Sequence, residues 1–310
     1  MSEKELNAPY QPVAYSLGSQ TRVLVILTVL LLAAFGRPLV DLFGYALRSE
    51  LFSHILLIPF ISAYLIVLKK AGLRTGTSPD RRWALIAVAA ALCVLVGYWV
   101  ALQSGMVLGR VEYLSWTILV FFLLFVSACC FSLGRETIRT LAFPIGFLAF
   151  MVPFPDWLTT RIETFLQYAS AMTAQALFGL TGMPVVREGL KFLLPGMCLE
   201  VAPECSGIHS TLVLFITSLL AGQLFLRSQW TRAILCLAVI PLGILRNAAR
   251  ICTIGQLCVH IGPQMIDSPI HRRGGPVFFV ASLVPFFLLL WFLRRTAIEA
   301  KLSTPPKVRS

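Results

Sequence analysis

The chain has 310 residues, of which 57% are hydrophobic and only 13% charged, at a mean hydropathy of +0.82. So few charges cannot cover that much apolar surface, so a water-soluble domain is excluded and the composition is that of a polytopic α-helical membrane protein. The formal charge of +12 does not point to nucleic acid, because Lys and Arg cluster between apolar runs and no basic, aromatic-rich soluble domain is present.

The first twenty residues are polar and read as a cytoplasmic tail. The run from Val23 to Phe43 is too long for a signal-peptide core and lacks a convincing cleavage site, so no cleavable signal is expected. Judged against the roughly 20 apolar residues that cross a bilayer, about eight spans are expected, at 21–43, 51–68, 83–103, 113–131, 141–155, 206–226, 231–251 and 276–293. The fifth is short and bounded by Pro144, Pro153 and Pro155. Lys69, Lys70, Arg74, Arg81 and Arg82 follow the second span, Arg135 and Arg139 the fourth, and Arg227 and Arg232 the sixth. Arg294, Arg295, Lys301, Lys307 and Arg309 follow the eighth, leading into a polar tail at 296–310. With eight spans all four groups share the cytoplasmic side with the N-terminus, as the positive-inside rule requires.

Between the fifth and sixth spans, Leu158, Ile162, Phe165, Leu166, Ala169, Met172, Ala176, Leu177 and Leu180 recur at helical spacing. Arg161, Glu163, Thr164, Gln167, Ala171 and Gln175 fill the opposite face. The pattern predicts an amphipathic helix over 158–180, lying in the membrane interface, or else a span packed on its neighbours by its polar side.

Three later stretches carry residues suited to chemistry. In "VAPECSGIHS" (201–210) Cys205 lies at the outer mouth of the sixth span, where a helix N-terminus lowers a thiol pKa and can hold an oxyanion. Ser206 and Gly207 follow it, and His209 lies one turn on. In "PLGILRNAARI" (241–251) Arg246 and Arg250 share one helix face late in the seventh span, with no acidic residue nearby in sequence and with Asn247 between them. Charges inside a span are costly and tend to be functional. In "SPIHRRGGPVFFV" (268–280) His271 precedes a basic pair and a Gly-Gly turn on the outer side. Nucleophile, oxyanion donor and general acid/base are the parts of acyl transfer through a thioester.

Taken together these stretches resemble the exosortase/archaeosortase family of membrane cysteine transpeptidases. "SHILLIPFISAYLIVLKK" (53–70) resembles the family's early Ser-His helix, and "LGRETIRTLAFPIGFLAFMVPFP" (133–155) its Pro-rich central helix. "VAPECSGIHS" resembles the nucleophile motif, "NAAR" (247–250) the Asn-x-x-Arg motif, and "HRRGG" (271–275) the third motif. The resemblance covers about 45–295. It implies Cys205, Arg250 and His271 as the catalytic set, with Ser206, Asn247, Arg246 and His209 in support, His209 being a local competitor of His271 as base. It also implies membrane-anchored substrates whose C-terminal Pro-Glu-Pro-type signal precedes a transmembrane helix and a basic tail. These would be cut at the outer face of the inner membrane and passed to an acceptor, with the amides of Ser206 and Gly207 assisting Arg250 at the oxyanion.

No Gly-rich phosphate loop occurs, so no nucleotide or organic cofactor is expected. Two other readings have less support. Cys198, Cys205 and His209, with Cys258 and His260 elsewhere, could hold a metal, but paired zinc-type spacing is missing. A transporter or scaffold could bind an anion at the arginine pair, but repeated broken helices are missing. Cys198 could also pair with Cys205 in an oxidising compartment. Cys93, Cys129, Cys130 and Cys236 fall inside apolar runs as small hydrophobes.

Overall fold

The computed structural model describes residues 19–69, 80–267 and 275–302. The chain divides into two compact units, Met1–Pro155 and Asp156–Ser310. Most of the described structure is helical. Among the described residues five helices are long and apolar enough to cross a membrane, or up to seven if the bent pairs Gln20–Ala34 with Gly36–Ala46, and Arg135–Met151 with Asp156–Leu180, each count as one span. The described residues do not confirm the expected count of eight, for reasons visible in the first unit.

The first unit holds α1 (Ser19–Ala34), α2 (Gly36–Ala46), α3 (Ile58–Lys69), α4 (Arg81–Gln103), α5 (Arg110–Ser132) and α6 (Arg135–Phe147). The expected span 21–43 breaks at Phe35 with a bend of 69°. Pro38 has no N–H to offer the Ala34 carbonyl, and its ring crowds that position, so α1 cannot run on. The expected span 51–68 begins with a 3₁₀ turn at Ser53–Leu56, and α3 itself has only 12 residues, about 18 Å of helix. The two full spans, α4 and α5, pack by small residues. Ala84, Ala87, Ala91 and Ala101 are the buried face of α4, and Ser127 Oγ donates to the Ala84 carbonyl at 3.0 Å. Small side chains let backbones approach where lipid removes any hydrophobic drive between helices.

Pro144 shows how a broken helix is repaired away from water. It cannot donate to the Thr140 carbonyl one turn back. Lys69 Nζ donates there instead, at 2.8 Å, and Ser62 Oγ donates to the Pro144 carbonyl at 2.7 Å. Both donors come from α3. An unsatisfied backbone group in hydrocarbon costs on the order of several kcal/mol, so these two side chains make the proline tolerable.

The second unit holds α7 (Asp156–Leu180), a three-stranded meander of β1 (Val186–Glu188), β2 (Lys191–Leu194) and β3 (Met197–Glu200), then α8 (Ile208–Phe225), α9 (Gln229–His260) and α10 (Gly275–Leu302). The meander lies where no strand was expected. Its strands pair antiparallel in the order β1-β2-β3 through the two-residue turns Gly189–Leu190 and Pro195–Gly196. Phe192, Leu194 and Leu199 are its buried residues, with Phe192 directly opposite Leu199. They pack on Ala171, Ala174 and Phe178 of α7 and on Ala248, Ile251 and Cys252 of α9. Gly255 makes room for this core, since a Cβ there would lie 2.6 Å from Phe178 Cζ.

On α7 the burial is the reverse of an apolar-face-inward helix. Thr159, Gln167, Ser170, Ala171 and Ala174 are buried along with Leu166 and Phe178, while Trp157, Phe165, Tyr168, Met172 and Leu180 are exposed. The small and polar stripe meets α9, and the large apolar one faces outward, as either reading of 158–180 requires. At the α8–α9 turn, Arg232 donates through Nε and Nη2 to the Leu226 carbonyl at 2.9 and 2.8 Å, closing the end of α8.

Candidate active site

Cys205 ends a 3₁₀ turn, Pro203–Cys205, set between the meander and α8, and is half-buried. A proline begins the turn, which suits its first position. Gly207 then adopts φ +74° as the residue before α8. This left-handed conformation costs an L-residue with a Cβ about 1–2 kcal/mol. A Cβ would also press on Arg246 Nη2 at 3.3 Å and on Asn247 Cγ at 3.4 Å. Glycine therefore lets the chain swing from the cysteine into the helix directly against α9.

α9 grips this turn with two buried side chains. Asn247 Nδ2 donates to the Cys205 carbonyl at 2.7 Å and to the Ser206 carbonyl at 3.4 Å. Arg246 Nη2 donates to the Gly207 carbonyl at 3.2 Å and to Thr211 Oγ1 at 3.1 Å. All three hydrogen bonds to the turn come from two consecutive residues of one helix, so the cysteine backbone is indexed to α9. From the other side, Gln167 of α7 donates to the Val201 carbonyl at 3.0 Å, while the Val201 amide donates to the Leu190 carbonyl at 3.0 Å. The approach to the cysteine is thus held from two helices and the meander.

Arg250, one turn beyond Arg246, is differently placed. With Cys205, Asn247, Ile251, Ile254 and the β3 end Leu199–Val201, it lines a cavity of about 20 Å³, room for one water molecule. Arg246 is not part of that lining. The two arginines share a helix face, but only Arg250 opens on the space that the cysteine opens on.

The other candidates fall as follows. Ser206 is buried, its amide donates to the Pro203 carbonyl at 2.9 Å, and its Oγ accepts from the Ile208 amide at 3.4 Å. The Ser206 amide is therefore engaged within the 3₁₀ turn. His209 lies in the first turn of α8, half-buried. His271 lies outside the described residues. Cys198 is on the exposed face of β3, and no disulfide joins it to Cys205. Cys258 is buried in α9, and His260 ends that helix. His260 is ten residues past Arg250, about 15 Å along the axis, and its Nε2 lies 3.0 Å from Gln256 Oε1, which belongs to a surface chain running to Thr181. Among the described residues no three His, Cys, Asp or Glu side chains gather as a metal would need.

Sequence reasoning missed three contributors. Gln167 was placed on the polar face of 158–180 with no partner named for it. Glu200 was not considered as a wall of the cavity. The meander itself was signalled by Gly189 and Pro195-Gly196 between short alternating runs, a hairpin pattern.

The family model described as Transmembrane exosortase (Exosortase_EpsH) matches residues 46–288. The chain belongs to the exosortase family. The matched region contains every element of the exosortase site built above, from Gln167 to Arg250, and also His271. No curated protein and no solved structure matches this exosortase.

Proposed function

We propose that this exosortase is a cysteine protease/transpeptidase that cuts a C-terminal sorting signal at the outer face of the inner membrane, with both termini cytoplasmic. The observation that supports it most is the shared cavity of Cys205 and Arg250, with Asn247 bonded to the cysteine's own carbonyl. The depth is consistent. From Arg232 to Arg250 is eighteen residues of α9, about 27 Å at 1.5 Å each, close to the hydrocarbon thickness of about 30 Å. Arg250 then reaches the outer interface when Arg232 sits at the inner one.

In this reading the Cys205 thiolate attacks the scissile carbonyl carbon and a C–S bond forms. Arg250 donates to the oxygen as it becomes an oxyanion, an interaction worth on the order of 10²–10³ in turnover. The tetrahedral intermediate collapses with loss of the C–N bond. His271 protonates the departing amine, which leaves with the transmembrane tail, and a thioester to Cys205 remains. The neutral histidine then takes a proton from the incoming water, hydroxyl or amine, whose attack releases the thiol. Acid/base help of this kind contributes about 10²–10⁴ in rate. Arg246 and Asn247 act through the backbone of the turn, as positioning residues.

The test is co-expression with a candidate protein bearing a Pro-Glu-Pro-type signal, with mass analysis of its new C-terminus. Wild type yields the truncated or transferred product, and Cys205→Ser, though inserted, yields none. Processing by Cys205→Ser at the wild-type rate overturns the acyl-enzyme mechanism.

A further inference from the structure

We propose that the substrate's signal segment binds as an added strand along the free edge of β3, which delivers its scissile bond to Cys205. This rests on the reading above, in that the segment is the one cleaved.

The argument begins with hydrogen-bond phase. β3 is the last strand of the sheet, paired on one side only, with β2. The two-residue turn Pro195–Gly196 makes Leu194 and Met197 a mutually bonded pair. In an antiparallel ladder bonded and non-bonded pairs alternate. Phe192–Leu199 is then bonded, whereas Leu193–Cys198 and Lys191–Glu200 are not. The Val201 amide donates to the Leu190 carbonyl in this same phase. The amides and carbonyls of Cys198 and Glu200 therefore point away from β2. Among the described residues no other strand takes them up. They offer two donors and two acceptors with a spacing of about 7 Å, the repeat of every second residue in a strand.

This edge ends at the reaction centre. Leu199, Glu200 and Val201 form one wall of the cavity whose other wall is Cys205, Asn247 and Arg250. A peptide paired with Cys198 and Glu200 would lie along a strand whose end lines the same cavity as Cys205. Exposed sheet edges bind extended peptides through main-chain bonds, with side-chain pockets adding selectivity. A cleavage reaction needs such an extended backbone at the nucleophile. Arg250 opens on the cavity beside the edge, while Lys191 is ion-paired with Glu200 at 3.7 Å. The meander is held rigidly enough to act as a template, because Phe192 and Leu199 are buried on α7 and α9 and Gln167 fixes the carbonyl of Val201.

The experiment uses the full-length enzyme in membranes. Cys205→Ala arrests the reaction and leaves Cys198 as an exposed thiol on β3. A candidate sorting-signal protein carries single cysteines scanned through its signal, and a short membrane-impermeant thiol cross-linker is added. Strand addition is expected to give cross-links to Cys198 at alternate signal positions. Cross-linking at no position, or at successive positions without a period of two, overturns it. A second arm compares Glu200→Pro with Glu200→Ala. Proline removes an edge-facing N–H but no bond to β2, a position where strands tolerate it. The expected result is a KM for Glu200→Pro about tenfold above that of Glu200→Ala with similar kcat, the loss of roughly one hydrogen bond. Equal KM values overturn the proposal, and if Glu200→Pro fails to insert, the cross-linking pattern decides. Processing by Cys205→Ala sinks the acyl-enzyme reading, whereas an inactive Cys205→Ala without alternating cross-links sinks strand addition alone.

Discussion

Asn247→Ala removes the donor that holds the cysteine turn. Two backbone carbonyls lose their side-chain partner, Cys205 O at 2.7 Å and Ser206 O at 3.4 Å. Asn247 is buried, and water cannot simply replace it in a cavity that holds one molecule beside it. A buried polar group left unmatched costs about 1–3 kcal/mol. The longer bond adds little, so the shorter one sets the magnitude. If that cost falls on the reactive geometry, at 1.36 kcal/mol per factor of ten, turnover drops about 5- to 150-fold. The loss should appear in kcat, because the turn positions the nucleophile, with KM changed less. Asn247→Asp is the sharper variant. It keeps the shape but sets a carboxylate oxygen against a carbonyl oxygen, so two acceptors face each other. Asn247→Asp is therefore expected to fall below Asn247→Ala. The assay is processed substrate per unit of inserted enzyme across a range of substrate levels. Wild-type turnover in Asn247→Ala, or an Asn247→Asp more active than Asn247→Ala, would refute the view that this side chain works by donating to the cysteine backbone.

Arg250→Lys should lose most activity, about 10²–10³ in turnover as for other lost oxyanion donors, because an ammonium cannot reproduce the planar fork. Arg246→Lys should keep more, since its partners are Gly207 O and Thr211 Oγ1 rather than the cavity; the same processing assay would refute both assignments if the order were reversed. Gly207→Ala forces a Cβ into a left-handed residue 3.3 Å from Arg246 Nη2, and is expected to lower thermal stability by about 1–2 kcal/mol and to cut processing; an unchanged melting curve and rate would contradict the turn geometry. With the two termini cytoplasmic, a membrane-impermeant thiol reagent added outside intact cells should label the exposed Cys198, and labelling only after the cytoplasmic side is opened would invert the topology.

Much of the site was legible from single residues because membrane sequences are written in strong contrasts. An arginine inside an apolar run, or a cysteine beside a Ser-Gly pair at the head of one, stands out against the uniform cost of polar groups in lipid. That contrast marked Cys205, Asn247, Arg246 and Arg250 before any fold was known. It also indicated that Arg250 and Arg246 differ by one turn, since helix geometry alone separates them by about 6 Å. On α7 amphipathic spacing reveals two faces but does not by itself say which one meets protein. In water the apolar face turns inward. Here Gln167, Ser170 and Ala171 turn inward, and Phe165 and Met172 face out.

What sequence alone determined about this protein is its class, its main apolar helices and its family, and it singled out Cys205, Arg250 and His271 as candidates for the chemistry, all from local composition and spacing. What only the tertiary structure decided is how those side chains are held. The bond from Asn247 to the Cys205 carbonyl joins residues 42 apart, and that from Gln167 to Val201 joins residues 34 apart. No periodicity records such pairings, because they arise from two helices and a hairpin packing on one core of Phe178, Phe192 and Ile251. The division between the arginines was settled in the same way. Both lie on one face of α9, and only the closure of the Gly207 turn against that face sends Arg246 to the backbone of α8 and leaves Arg250 to share the cavity with the cysteine.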